Sequence, residues 1–157
     1  MYCLEAVVAG EAVLRELAGS VRQARIVALD GHVSLLPMTD AFSDAVTVAG
    51  APRLDGFRKI PAGFEAVLAA CSAVGPVAYV EAEFFGGVGV QSAQVWERGE
   101  VVLGPLHVED EPHPAEGNPI SRALRRLGVA RGGHFDEFDA VGLGRHRRTG
   151  DWLPLAD

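Results

Sequence analysis

The chain has 157 residues, 48% hydrophobic and 22% charged, which is the composition of one globular domain large enough for a hydrophobic core. Twenty-one acidic against 14 basic residues give a net charge of −7 at pH 7, which argues against nucleic acid as a partner. Residues 67–80 contain no charge, but this run is shorter than the roughly 18 residues that a membrane span needs. The first residues carry Glu5 and no basic side chain, unlike a secretory signal. We therefore expect a cytoplasmic protein without a membrane partner.

The basic residues are distributed unevenly. Thirteen of the 14 are arginine, a bias typical of high-GC bacterial genomes. Residues 1–118 hold 16 acidic and seven basic side chains, whereas residues 119–148 hold seven arginines and three acids. An acidic body favours a protein partner with a basic surface.

The first forty residues predict three strands and a helix. Residues 3–9 form a first strand, and residues 11–18 a short helix with leucines on one side. Residues 24–29 and 33–38 predict two further strands around Asp30-Gly31, a dipeptide favoured in hairpin turns.

Two helices and a loop are expected next. Thr39 can cap a short helix that buries Phe42. Residues 47–60 contain glycine and proline without periodicity and predict a loop. Pro61 then opens the clearest helix, whose apolar stripe has helical spacing. That stripe is Phe64, Val67, Leu68 and Cys71.

The last third predicts one more helix and a tail. Residues 109–118 form a polar loop, after which Asn118 and Pro119 start a helix that Gly128 ends. A short helical turn is expected near residues 136–140. Residues 142–157 read as a basic, flexible tail on the domain.

Strands joined by tight turns favour antiparallel pairing. We therefore predict a single α+β domain spanning residues 1–157, with a mainly antiparallel sheet and three to four helices packed on one face.

The stretch EAEFFGGVGVQSAQVWERGE, residues 81–100, predicts a hairpin followed by a second turn at Arg98-Gly99. If residues 86–89 form a four-residue loop, one face of the hairpin is apolar. That face holds Val80, Ala82, Ala93 and Val95, which should pack on the helix carrying Phe64 and Leu68. The same register pairs Tyr79 with Trp96, Glu81 with Gln94, and Glu83 with Ser92. The two-residue turn at Arg98-Gly99 would then place Trp96 opposite Val101 and Gln94 opposite Leu103.

The other face of this hairpin is the candidate site. Aromatic rings beside carboxylates are common at interfaces, so the face could bind a partner or ligand. It could also be a solvated sheet face, or be covered by the 47–60 loop or the tail. The candidate residues are Tyr79, Glu81, Glu83, Gln94 and Trp96.

No complete catalytic or metal-binding pattern is present. The five histidines are scattered, no HExxH or CxxC occurs, and no serine lies in a G-x-S-x-G turn. Cys3 and Cys71 lie far apart in apolar surroundings, so we predict that both are buried, unpaired thiols. We expect neither a metal nor a cofactor, and we favour a non-enzymatic role.

The string EAEFFGGVG at residues 81–89, followed by Gln91, resembles a pattern in small uncharacterised bacterial proteins. The pattern is Glu, any residue, an acidic residue, an aromatic residue, Phe and two glycines, then Gly and Gln at alternate positions. Some proteins of this sort are similar to immunity proteins of bacterial toxin systems. The resemblance implies a role in neutralising a toxin.

Two functions are therefore expected. The leading one is a protein-binding module, which could also form a homodimer. The alternative is a small-molecule binder or enzyme that uses Glu81 and Glu83 in a covered pocket. An open face would favour the partner, and a concave cover would favour the ligand.

Overall fold

The computed structural model describes residues 1–85, 88–109 and 116–154. Its strands are β1 (Tyr2–Ala9), β2 (Val27–Ala28), β3 (Ser34–Pro37), β4 (Val77–Phe85), β5 (Val88–Glu97) and β6 (Glu100–Glu109). Its α-helices are α1 (Glu11–Ala18), α2 (Asp40–Val46), α3 (Phe64–Cys71), α4 (Pro119–Arg126) and α5 (Glu137–Val141), followed by 3₁₀ turns at Leu143–Arg145 and Thr149–Trp152. None of the helices in these ranges is long and apolar enough to cross a membrane.

All six strands belong to one sheet with the order β2-β3-β1-β4-β5-β6, and every neighbouring pair is antiparallel. The predicted α+β class is confirmed, as are the first hairpin and the β4-β5-β6 meander. β1 lies between β3 and β4, and its pairing with β4 runs from Tyr2 opposite Phe84 to Ala9 opposite Val77. This position buries both faces of β1.

The sheet separates two hydrophobic cores. Side chains on one face pack with α4 and α5, through residues such as Ile120, Leu124 and Val141. Side chains on the other face pack with α1, α2 and α3, through residues such as Leu14 and Phe42. The helices therefore lie on both faces of the sheet, whereas the sequence predicted helices on one face only. Both faces need cover because β1 and β4 carry apolar side chains on each side of the sheet.

The prediction that α3 covers the apolar face of the β4-β5-β6 meander is wrong. Val80 and Val95 are buried, but they share a core with α4 and not with α3. Phe64 and Leu68 of α3 instead pack on the opposite face, with Tyr79 and Trp96. Alternation in a strand shows which residues share a face, but it does not show which helix covers that face.

The hairpin register differs from the predicted one by two residues. Phe85 pairs with Val88, so the strands extend further towards the turn than a four-residue loop allows, and Gly86 and Gly87 lie outside the described residues. A shift of two leaves every side chain on its predicted face, since strand residues alternate. The observed pairs are Val77–Trp96, Tyr79–Gln94, Glu81–Ser92 and Glu83–Val90.

The second turn forms as predicted, with Glu97 opposite Glu100 and Trp96 opposite Val101. The predicted pair of Gln94 and Leu103 is wrong, because a bulge in β5 places Val95 opposite Leu103.

Residues 142–154 dock against the sheet, where the sequence predicted a flexible tail. The Cys3 N–H donates to the Arg147 carbonyl at 2.7 Å, and Trp152 is buried in the core shared with α4. Arg145 forms an ion pair with Asp30 at 2.8 Å. The end of the described chain is therefore part of the domain.

Candidate functional site

A row of polar side chains crosses the sheet on the α3 face. Glu5 of β1 lies opposite Glu81 of β4, which lies opposite Ser92 of β5, which lies opposite His107 of β6. The first three are buried. A buried carboxylate needs hydrogen-bond donors, so the partners of Glu5 and Glu81 show what this row does.

Glu81 holds a loop over the sheet. Its Oε1 accepts the Arg58 N–H at 2.8 Å, and its Oε2 accepts the Lys59 N–H at 3.0 Å. Oε2 also accepts the Tyr79 hydroxyl at 2.8 Å. Burial, followed by the neighbouring Glu81 carboxylate, raises the pKa of Tyr79, which keeps that hydroxyl protonated as a donor. Both oxygens of Glu81 are thus used to fix residues 53–60, which we call the covering loop.

Glu5 connects the covering loop to residues 142–154, which we call the C-terminal segment. Its Oε1 lies 2.8 Å from Lys59 Nζ, and its Oε2 accepts the Thr149 hydroxyl at 2.6 Å. The Glu5 backbone N–H donates to the same Thr149 oxygen at 3.0 Å. The hydrogen bond to Glu5 raises the pKa of Lys59. The two segments are therefore fixed to the sheet by carboxylates on adjacent strands.

The predicted site residues do not form an open face. Tyr79 is 0% exposed and Trp96 3% exposed, and Gln94 is buried beside them. The ring of Phe57, from the covering loop, lies 5.2 Å from the Tyr79 ring, and the Phe64 ring lies 6.5 Å from it. The interpretation of this face as a docking surface is therefore wrong for both aromatic rings, which the 47–60 loop and α3 cover. Glu81 and the half-buried Glu83 line a small cavity instead.

That cavity, between Glu81, Glu83 and Ser92, has a volume of about 20 Å³, enough for a single water. Ser92 Oγ lies 2.7 Å from His107 Nδ1, and His107 Nε2 lies 3.4 Å from Glu109 Oε2. A serine, a histidine and a carboxylate follow one another as in a hydrolase triad, but the two ring nitrogens are exchanged, since Nε2 faces the serine in that triad. Ser92 is only 3% exposed, however, and the space beside it excludes a substrate.

A much larger cleft adjoins the same row. It has a volume of about 730 Å³, within the range of small-molecule sites. We call it the cationic cleft, because four basic and two acidic side chains line it. The basic ones are Arg53, Arg58, Lys59 and Arg148, and the acidic ones are Glu5 and Asp40. Its other lining residues are Met1, Cys3, Met38, Thr39, Ser43, Thr149, Gly150 and Leu153.

Two arginines of the cationic cleft carry uncompensated charge. Among the described residues, neither Arg53 nor Arg148 forms an ion pair within 4 Å. The Arg53 guanidinium donates to the Arg58 carbonyl at 3.2 Å. Arg58 itself lies 3.7 Å from Glu109. The cleft is thus net positive within a chain of net charge −7.

Sequence reasoning missed this cleft because its parts are far apart in the chain. The available signals were Lys59, the single lysine, and the basic cluster at residues 145–148. Neither signal indicates that the two segments meet at Glu5.

The cysteines are both free thiols. Cys71 is buried as predicted, and burial raises its pKa to about 11. Cys3 is half-buried at the cationic cleft, and burial, followed by Glu5, raises its pKa as well. Within the described ranges, no group of three His, Cys, Asp or Glu side chains is arranged to hold a metal ion.

Comparison with protein-family models, with curated proteins and with solved structures finds no match to this chain. Two residues of the stretch 81–91, which carries the resemblance, have structural roles in this fold. Glu81 fixes the covering loop, and Gln91 accepts the Ile120 N–H at 3.0 Å.

Proposed function

We propose that this chain is a binding protein whose ligand is a small molecule held in the cationic cleft. The observation that carries the proposal is the pair of buried carboxylates, Glu5 and Glu81, that fix the walls of the cleft to the sheet. Walls fixed before binding reduce the entropy lost when a ligand is ordered. This ligand site differs from the covered pocket at Glu81 and Glu83 that the sequence offered as the alternative, because that pocket has room for a single water and the cationic cleft lies beside it.

Binding is a better description than catalysis. Both oxygens of Glu81 accept hydrogen bonds from the protein itself, so Glu81 is not free to act as a base. Ser92 faces a cavity that admits only water. The cationic cleft instead offers fixed charges, the hydroxyls of Thr39 and Ser43, and the apolar side chains of Met38 and Leu153.

A blocked cleft tests this proposal. Ser43 lines the cleft from α2, whereas Ala45 lies exposed on the same helix and does not line it. Wild type, Ser43→Trp and Ala45→Trp are screened by thermal shift against a library of neutral, cationic and anionic metabolites. We expect compounds that raise the Tm of wild type and of Ala45→Trp, but not that of Ser43→Trp. Compounds that stabilise all three proteins equally, or a library without any hit, would contradict the proposal.

The protein-binding module predicted from the sequence, with the toxin-neutralising role that the resemblance implies, is the second candidate. The observation that favours it is the outer edge of β6, which within the described residues pairs only with β5. Val101, on this strand, is 49% exposed. An extended segment of a partner, or a second copy of the chain, could add there as a seventh strand.

Sedimentation equilibrium tests this second candidate with the copy as the partner. A dimer that Val101→Lys converts to a monomer would support it, whereas a wild-type monomer at every concentration would contradict pairing between copies.

A further inference from the structure

The charges of the cationic cleft divide into compensated and uncompensated groups. The charge of Lys59 is compensated by the Glu5 carboxylate 2.8 Å away, and Arg58 lies near Glu109. Arg53 and Arg148 keep their full charge, since the described part of the chain gives neither an ion pair. Two guanidinium groups are therefore available to a ligand in the same cleft.

Both arginines belong to segments that Glu5 and Glu81 hold on the sheet. The Arg53 guanidinium is held at the Arg58 carbonyl, next to the N–H groups that Glu81 accepts. Arg148 precedes Thr149, whose hydroxyl is bound to Glu5, and it forms a bridge with Cys3 of β1. Guanidinium groups present parallel N–H donors that match the oxygens of a phosphate or carboxylate.

The other lining residues indicate which groups the rest of the ligand can carry. Met38 and Leu153 offer apolar surface, while the Thr39 hydroxyl, which accepts the Phe42 N–H, keeps its own proton to donate. Asp40, also in the lining, can accept a hydrogen bond from a donor group on the ligand.

We infer that the cationic cleft binds an organic molecule carrying a doubly charged oxyanion of the phosphate monoester class, held between Arg53 and Arg148. This inference rests on the proposed function and adds to it the class of ligand. A dianion supplies one negative charge to each of the two guanidinium groups that no carboxylate pairs with, whereas a singly charged or neutral group leaves one or both without an anionic partner. The Asp40 carboxylate in the same lining repels either anion and lowers the affinity of both.

The test measures binding of four probes to wild-type protein by calorimetry at pH 7.5 and fixed ionic strength. The probes are phenyl phosphate, inorganic phosphate, benzenesulfonate and phenol, which separate the dianion from the ring. We expect phenyl phosphate to bind most tightly, inorganic phosphate more weakly, and benzenesulfonate at least about tenfold more weakly than phenyl phosphate, because the single negative charge of the sulfonate leaves one guanidinium group without an anionic partner. Phenol is expected not to bind.

Neighbouring arginines supply the matched control. Arg147 and Arg148 are both exposed and carry the same charge, but only Arg148 lines the cleft. Arg148→Ala and Arg53→Ala should each weaken phenyl phosphate at least about tenfold, whereas Arg147→Ala should leave its Kd within about twofold. Urea unfolding checks that the three variants are equally stable.

The pH dependence gives a second readout, because the charge of phenyl phosphate changes with pH while that of benzenesulfonate does not. The second pKa of a phosphate monoester is about 6, so binding of phenyl phosphate should tighten between pH 5 and pH 7.5 as the dianion forms. Binding of benzenesulfonate, whose charge is constant there, should change less.

Each outcome has a separate meaning. Equal binding of all four probes, no binding of phenyl phosphate, or equal weakening by Arg147→Ala and Arg148→Ala would overturn the dianion inference. If neutral or cationic compounds from the metabolite screen lose binding in Ser43→Trp while phenyl phosphate never binds, the class is wrong and the proposed function stands. If Ser43→Trp affects no ligand, the proposed function itself fails.

Discussion

At the scale of single residues, Glu81 joins the backbone of Arg58 and Lys59 to the hydroxyl of Tyr79. All three partners of Glu81 are hydrogen-bond donors. In Glu81→Gln the side-chain NH₂ group is also a donor, so at least one of these partners loses its acceptor. We expect Glu81→Gln to lower the free energy of unfolding by about 1–3 kcal/mol. Urea denaturation measures this loss.

Glu83 provides the matched control for that substitution. It lies two residues along the same strand, is only half-buried, and makes no side-chain hydrogen bond within the described residues. Glu83→Gln should change the free energy of unfolding by less than about 0.5 kcal/mol. Equal effects of the two substitutions would argue against the role of Glu81 in holding the covering loop.

Trp96 is a core residue in this structure. The sequence placed its ring on the outer face of the hairpin, which was expected to be solvated, to bind a partner or ligand, or to be covered by the 47–60 loop or the tail. Because the side chain is 3% exposed and packs in the same core as Phe64, Trp96→Ala should destabilise the protein by about 3–5 kcal/mol. A loss of under about 1 kcal/mol in chemical denaturation would restore the open-face interpretation.

Cys71 gives a pH dependence whose sign follows from its burial. Its pKa is raised from 9.0 to about 11 in the folded protein. The folded state therefore retains a proton that the unfolded state loses, and the resulting stability is fully present below pH 9 and is lost as the pH rises to about 11. Tyr79, whose pKa is also raised by burial, acts in the same direction above pH 10.

We expect the free energy of unfolding to fall between pH 9 and pH 11, and to fall less steeply in Cys71→Ala. Urea denaturation at intervals across this window measures both slopes. Parallel slopes for the two proteins would show that the Cys71 thiol is not buried in solution.

At the scale of elements, a hydrogen bond from the sheet adds to the apolar packing that holds α4. Gln91 of β5 accepts the Ile120 N–H at the start of α4, a group that has no partner within the helix. Gln91→Leu keeps the volume but leaves this buried donor unpaired, and we expect a loss of about 1–3 kcal/mol. Gln23→Leu, at an exposed position, should have little effect on the same unfolding curve.

Most elements could be predicted from the sequence, but their partners could not. Periodicity placed α4 and the alternating strands, since apolar spacing reflects the local geometry of helix and strand. The register of β4 and β5 was two residues off, because the glycine-rich turn allows more than one loop length. Which helix covers Val80 and which covers Tyr79 depends on the path of the whole chain, and no local pattern carries that information.

At the scale of the whole molecule, the cationic cleft brings together β1, the start of α2, the covering loop and the C-terminal segment. Glu81 was a candidate from the sequence, yet its role is to fix a wall rather than to meet a ligand. Arg53 and Arg148 are 95 positions apart in the chain, and they line one cleft only because Glu5 and Glu81 lie on adjacent strands. A long-range juxtaposition of this kind leaves no pattern in a single sequence.

A titration of ¹⁵N-labelled protein with phenyl phosphate, followed by amide chemical shifts, shows whether the cationic cleft is the ligand site. We expect saturable shifts concentrated at residues 39–43, 53–59 and 148–150, with smaller changes at the buried cores. Arg148→Ala should reduce these shifts at equal ligand concentration, and Arg147→Ala should not. Shifts that are absent, or that concentrate on α4 and α5 while residues 39–43, 53–59 and 148–150 stay unchanged, would contradict the assignment of the cationic cleft as the ligand site.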